Sequence, residues 1–464
     1  MSTRLIRRAL WSSSLLLLAT SYAFGQAPRS ISNPSAFDAS FNSQVVALMR
    51  EKESRTPGMR KMSMDLIFAV RTAKGENLRA GLPKLEVANP ARKDGTVDVE
   101  FSAPVTGTFL AQLQVLGARI AGAYPIDSSV SARIPVRSLE SAAMLPGVRY
   151  VTTPSPCFTN AGNIQSQGDK SMRSDELRAT YGLTGSGVQI GTISDSDDSR
   201  ETSQSTGDLP ATVTVLSNRS GRSASGEGTA MMELVYDVAP GAAMWFSTGY
   251  GGESAFAQNY RDLFAGGCSV LSDDLIYIAE PAFQDGRVAR AINEIWAAGG
   301  IAFTAAGNEN NVKSNNSGVW EGDYSNSGQS VTVNSKTGNF HAWTGTQIYN
   351  QVTNSGSGYL SLQWNDVWGA ASSDYDLILA DSSGNIVGAS TGNNVNGAPY
   401  EQVINTVNGR FAYVTKISGN DRVLRLNQFR GTFAVRTGGQ IYGHAAGDKG
   451  IGVAAINAAR TTPR

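Results

Sequence analysis

A few polar residues stand where a chain would place them to do chemistry. Glu227 opens "EGTAMMELVYDVAPGA", in which Met231, Leu234, Val235 and Val238 recur at i, i+3, i+4 and i+7. That recurrence predicts one buried helical face, and Pro240-Gly241 is a helix stop. A carboxylate at such a start sits in the partial positive charge of unpaired amides, and it serves either as ordinary first-turn capping or as a base. Asp195 follows the apolar run "VQIGTIS". From there it would project from the carboxyl edge of a parallel sheet, where open α/β folds place their sites, or act as a turn carboxylate beside Asp197 and Asp198. Asp273 and Asp274 lie in the strand-like "CSVLSDDLIY"; they are either a second source of carboxylate beside Glu227 or solvated strand-end charges. Carboxyls held close cannot both ionise and come to share a proton, which suits acid–base hydrolysis, including the carboxylate-pair chemistry of glycosidases. His341 and His444 are the only histidines and lie in no ligand-spaced cluster, so a metal site is unsupported.

The elements that must position these residues come in a specific order. "GSGVQIGTISDS" precedes the Glu227 helix and "GGIAFTAAGNEN" follows it, and both read as parallel strands with polar tips. This ordered triplet, from about Gly185 to Asn310 with a short return after Tyr442, resembles the subtilisin and sedolisin superfamily of secreted serine peptidases. Subtilisins carry histidine before the Gly-Thr of the helix; here that residue is Glu227, and sedolisins use a glutamate, with the same thirteen-residue separation that Glu227 has from Pro240. The resemblance implies a triad aspartate at Asp195, a general base at Glu227, and an oxyanion donor at Asn308, where sedolisins have aspartic acid. It also exposes departures. The aspartate that sedolisins place four residues after their glutamate is Met231, and the G-T-S-x-A-x-P helix of the nucleophilic serine does not occur in these 464 residues. The expectation is therefore a truncated peptidase that is itself inert. If Asp195 and Glu227 face each other, the completed enzyme is expected to work best at roughly pH 3 to 6.

The fold class implied is α/β: a partial subtilisin-like doubly wound parallel sheet, with an α+β propeptide-like domain before it and an inserted antiparallel β-sandwich. A chain of 464 residues is too long for one core. Lys+Arg and Asp+Glu balance at 39 each, so no overall field recruits nucleic acid or an anionic membrane. Residues 1–25, with Arg4, Arg7 and Arg8 before the apolar Leu15 to Leu18 and small residues near Gly25, read as a signal peptide. No later run reaches the roughly 18 apolar residues of a membrane helix, so the expected location is secreted or periplasmic.

Residues 26–155 form the propeptide-like region. It starts with a helical segment (Phe41, Val45, Val46, Leu48, Met49) and continues into a β-α-β-β-α-β unit, which resembles the propeptides that chaperone and inhibit subtilisin-like enzymes. A polar connector follows over 156–184, with a short helix near Ser174 to Tyr181, and then the N-terminal part of the catalytic domain over 185–312. Period-two segments over 325–440 predict an inserted sandwich, and 441–464 return to the catalytic domain. Cys157 and Cys268 either pair or leave Cys268 a small buried thiol. No cofactor is implied; Asp366, Asp374 and Asp376 offer oxygen ligands of the kind structural Ca²⁺ takes, and an Asp-rich turn accounts for them as well. Trp364 and Trp368 either present a binding face or fill the sandwich. The expected partners are a polypeptide substrate and the chain's own propeptide. The competing function is a non-catalytic secreted pseudopeptidase that acts through its sandwich.

Overall fold

Apolar side chains at 41, 45, 48 and 49 put the first helix, Ala39–Glu53, on its buried face. A second helix, Met64–Ala73, follows it. The computed structural model describes residues 39–76, 81–155, 157–158 and 167–456; the signal peptide read at 1–25 lies outside them. The next segments fold in the order β-α-β-β-α-β: Thr96–Ser102, Gly107–Val115, Arg119–Tyr124, Ser129–Pro135, Leu139–Ala143 and Tyr150–Thr152. Their four strands form an antiparallel sheet in which 96–102 lies between 129–135 and 150–152. Alternation in Thr96–Ser102 buries Val97, Val99 and Phe101 against Phe109 and Leu113. Leu66, Ile67 and Val70 of the second helix close the same core.

Six strands of the described residues make an all-parallel sheet in the order Ile451–Val453, Ile301–Ala305, Val270–Asp273, Gln189–Ser194, Ala243–Thr248, Val213–Val215. The chain enters at 189–194, runs to the edge strand 213–215, returns through 243–248 between the two, then crosses to the other side. This makes the carboxyl ends of 189–194 and 270–273 the switch point of the sheet. Both faces are covered. Trp245 packs toward the helices Glu253–Ala265 and Arg287–Ala297, while Met244 and Phe246 meet Met232 of the helix Glu227–Val238, as the alternation of a strand requires.

The buried face of the Glu227 helix differs from the expected stripe. Gly228, Thr229 and Met232 are buried, while Leu234 is 45% exposed. The reason lies at its N-terminus, where Gly228 sits so close to the sheet that a Cβ there would come 2.3 Å from the Phe246 ring. That contact turns the helix away from the phase its apolar residues suggest.

The sandwich starts at Val319–Asp323, which pairs with Val423–Gln428. These two strands, with Leu360–Trp364 and Tyr400–Val403, form the smaller sheet. The larger one contains Asn326–Val333, Lys336–His341, Phe411–Ser418 and Asp374–Ala380. Trp364, Leu377, Val414 and Leu426 fill the space between the sheets. On the opposite face of the larger sheet, Phe340, Ile378, Phe411 and Tyr413 pack against Phe41, Val45, Leu48 and Met49 of the first helix. The strand Ile451–Val453 then rejoins the parallel sheet.

Candidate active site

Asp195 follows directly on its strand and is 1% exposed. Its carboxylate accepts hydrogen bonds from the backbone amides of Ser225 (2.7 Å), Glu227 (3.0 Å) and Gly228 (3.4 Å), and from the Ser225 hydroxyl. It thereby caps the start of the Glu227 helix from another strand, the favourable place for an anion. The neighbouring loop is held in the same manner: Asp198 accepts from the amides of Ser223 and Ala224 at 2.9 Å, and the Ser196 hydroxyl accepts from the Gly226 amide at 3.0 Å. Gly226 takes φ 78°, and a Cβ there would come 2.8 Å from the Asp198 carbonyl oxygen. Only glycine enters the helix by that route without strain.

With its backbone tied to Asp195, the Glu227 side chain is free to point elsewhere. Its Oε2 is buried without a hydrogen-bond partner. The carboxyl beside it is Asp274, one residue past the strand Val270–Asp273 and 7% exposed. Register explains the meeting, because Ile193 lies opposite Asp273 and so Ser194 is level with Asp274. Burial, and then the charge and hydrogen bond of Glu227, push Asp274 up to about 9 against an ordinary 3.8; a hydrogen bond from Ser194 works the other way. Asp274 therefore keeps its proton near neutrality beside Glu227. Glu227 is thus paired with Asp274, while Asp195 holds the helix that carries it. Asn308 lies exposed on the same sheet edge, three residues past Ile301–Ala305.

On the other side of the strand end, Asp273 enters a buried network with no local sequence signal. Tyr260 donates its hydroxyl proton to Asp273, and the His444 ring lies between Asp273 (Nε2, 3.2 Å) and Glu280 (Nδ1, 2.7 Å), with the Thr304 hydroxyl 2.8 Å from Nε2. Burial opposes the imidazolium, yet the Glu280 and Asp273 carboxylates outweigh it and hold His444 well above its ordinary 6.5. Removing the cation would strand two buried carboxylates. His444→Leu is therefore expected to destabilise the fold by about 3–5 kcal/mol, read by chemical denaturation; a loss below about 1 kcal/mol would mean that the imidazolium is not the partner of both.

The remaining sequence candidates fall elsewhere. Cys268 is a free, fully buried thiol that burial raises to about 12, and the Cys157 side chain lies outside the described atoms. Asp374 and Asp376 hold the Lys52 ammonium instead of a metal, at 2.8 Å each. Asp366 accepts the amides of Ser372 and Ser373 and pairs with Arg422. Trp364 is buried in the sandwich, while Trp368 donates to the Tyr150 hydroxyl at 3.1 Å. Among the described residues no cluster of three or more His, Cys, Asp or Glu could hold a metal, and no helix is long and apolar enough to cross a membrane. A cavity of about 810 Å³ lies away from the carboxyl pair, bordered by Arg149, Tyr150, Glu253, Arg287, Trp368 and Tyr400.

The sequence matches no protein-family model and no curated protein. Among solved structures, the chain is similar to the epidermin leader peptide processing serine protease (EpiP) from Staphylococcus aureus, at 12% identity and TM-score 0.32 over 46% of this chain and 60% of that one. A mutant of the same protease aligns at 12% identity and TM-score 0.36 over 47% and 63%. The CspB protease of Clostridium perfringens aligns at 10% identity and TM-score 0.32 over 59% and 69%. The chain thus spans less than two thirds of the length of the first two.

Proposed function

We propose that the protein is a secreted serine-type endopeptidase in which a carboxyl pair does the work of the usual histidine. The observation that carries this reading is the pair of buried Asp274 and half-buried Glu227 at the switch point of the parallel sheet. Glu227 would take the proton of a serine hydroxyl as it attacks a peptide carbonyl, and return it to the leaving amine. Asp274 keeps a proton near neutrality, hydrogen-bonds Glu227 and shares that proton with it. Asp195 fixes the helix start that aims Glu227, and Asn308 is the donor proposed for the oxyanion. Among the described residues, Ser194 supplies the hydroxyl on the pair, and at 0% exposure it cannot meet a substrate. The attacking serine hydroxyl would then come from a segment other than this strand. Hydrolysis of an unfolded protein by a form of the chain that carries the serine segment, present with Glu227 and absent in Glu227→Gln, is the test; equal activity in both would overturn it.

The α+β unit supports a propeptide reading through where it sits. Its Asp127 pairs with Arg261 at 3.2 Å and its Glu100 pairs with Arg287, so that it rests on the helices Glu253–Ala265 and Arg287–Ala297. Beyond it, Cys157–Phe158 pairs antiparallel with Ile276–Tyr277, and Ile276 is two residues past Asp274. An extended segment added to a strand edge beside the site is how a substrate backbone would bind. In protein that has matured, N-terminal sequencing is expected to find the new terminus within the few residues after Phe158. A terminus upstream of Thr153 would contradict a substrate-like connector.

A further inference from the structure

The first helix does more than precede the α+β unit. Phe41 stacks on Tyr413 with ring centroids 4.9 Å apart, and Val45, Leu48 and Met49 continue the contact along one face of the helix. At the end of this stripe Lys52 reaches into the sandwich and places its ammonium 2.8 Å from Asp374 Oδ2 and 2.8 Å from Asp376 Oδ1, all three side chains being less than a tenth exposed. Polar contacts fix the register. The Gln44 side chain accepts the Ile386 amide at 2.9 Å, and Arg55 donates to the Thr391 carbonyl at 2.6 Å and hydroxyl at 3.0 Å. Further along, the Glu86 amide donates to the Val387 carbonyl at 2.9 Å. An amphipathic helix in an apolar groove, with one cation captured at the end, is a recurring recognition mode.

We propose that the sandwich is a receptor for the helix Ala39–Glu53, so that a cut in the connector leaves the N-terminal region bound as a separate chain. This rests on reading residues 26–155 as a prosegment, and adds to it a second anchor away from the peptidase-like helices. Lys52 makes the anchor durable: its departure would leave Asp374 and Asp376 buried without their cation, while its own burial is acceptable only between them. The apolar face of the larger sheet would at the same time be bared to water. Release then requires both anchors to let go.

The test inserts a site-specific protease sequence into the connector of the full-length chain, within residues 159–166, and cuts it under native conditions. The two pieces are expected to co-elute in size-exclusion chromatography after dilution to about 0.1 µM. Lys52→Met is expected to weaken retention by about 100-fold or more, whereas Asp127→Asn, at the other anchor, leaves the pieces together. If Lys52→Met does not fold, Phe41→Ala replaces it, with release again expected. Separation of the cut wild-type pieces at about 10 µM would overturn the proposal, as would retention that is lost in Asp127→Asn and unchanged in Lys52→Met or Phe41→Ala. Because the cut is supplied, retention is measured whether or not the N-terminal region inhibits hydrolysis. Retention without inhibition would reject the prosegment reading and leave the receptor standing.

Discussion

The melting temperature of the protein is expected to be highest near pH 5 and to fall steadily toward pH 9. Asp274 is pushed up to about 9 by burial and by Glu227, Glu253 to about 8 by burial and the charge of Glu280, and Glu401 to about 8 by burial and the charge of Asp376. For a raised carboxyl the folded state holds a proton that the unfolded chain has already released, so stability is lost as pH rises from the ordinary carboxylate value toward the folded one. His444 acts in the same sense. Its stabilisation is complete below its unfolded value near 6.5 and is lost as pH climbs through the raised folded value. A tenfold difference in proton affinity between the folded and unfolded chain is worth about 1.4 kcal/mol, so even a discounted sum over these buried groups reaches several kcal/mol. The opposing groups titrate lower: Asp169, held to about 2 by Arg178 and Ser174, and Glu201, held to about 2 by Arg200 and Arg222, lose their partners only below about pH 4. Thermal melts from pH 5 to pH 9 check this, with Asp274→Asn expected to flatten the slope. A profile that is flat or rises with pH would remove the physical basis assigned to the pair.

The second large effect is on turnover. In a form of the protein that carries the serine segment, Glu227→Gln removes the base and is expected to lower kcat by about 10³- to 10⁴-fold with little change in folding, the scale seen when a triad member is lost. Asp274→Asn is expected to act differently. Its amide still donates a hydrogen bond to Glu227, so the loss should be about tenfold to a hundredfold. Its larger consequence is on the pH profile: the alkaline fall that comes with loss of the Asp274 proton near about 9 should disappear. An Asp195–Glu227 pair would have confined activity to roughly pH 3 to 6, whereas the Glu227–Asp274 pair carries its proton through neutrality and extends activity upward. Rates measured from pH 3 to pH 10 in the three proteins separate these outcomes; equal losses in the two variants with an unchanged alkaline limb would assign Asp274 no part in the proton's movement.

What could be read from the sequence was what local patterns encode. Strand tips at Asp195 and Asn308, the helix start at Glu227 and the β-α-β-β-α-β order all follow from period, turn residues and apolar runs that each sit within about a dozen residues. The features misread, left open or missed depend on contacts between distant segments. The phase of the Glu227 helix is set by Gly228 against Phe246, which no periodicity within the helix records. Asp274 could not be told from a solvated strand-end charge, because its burial beside Glu227 arises from the register between two parallel strands. His444 meets Glu280 from 164 positions away, and Lys52 meets Asp376 from 324. The acidic spacing of Asp374 and Asp376 suggested either Ca²⁺ ligands or an Asp-rich turn; it could not indicate that a lysine of the first helix pairs with both.

Whether Glu227 and Asp274 share a proton at the switch point of the sheet is decided by following the side-chain carboxyl carbon of Asp274 by NMR from pH 4 to pH 10, in the wild type and in Glu227→Gln. Asp274 is expected to remain protonated through neutrality and to titrate near about 9 in the wild type, and its value to fall in Glu227→Gln while burial alone keeps it above the ordinary 3.8. An Asp274 that titrates in the ordinary aspartate range in the wild type, or one whose titration does not move when Glu227 is replaced, would contradict the shared proton.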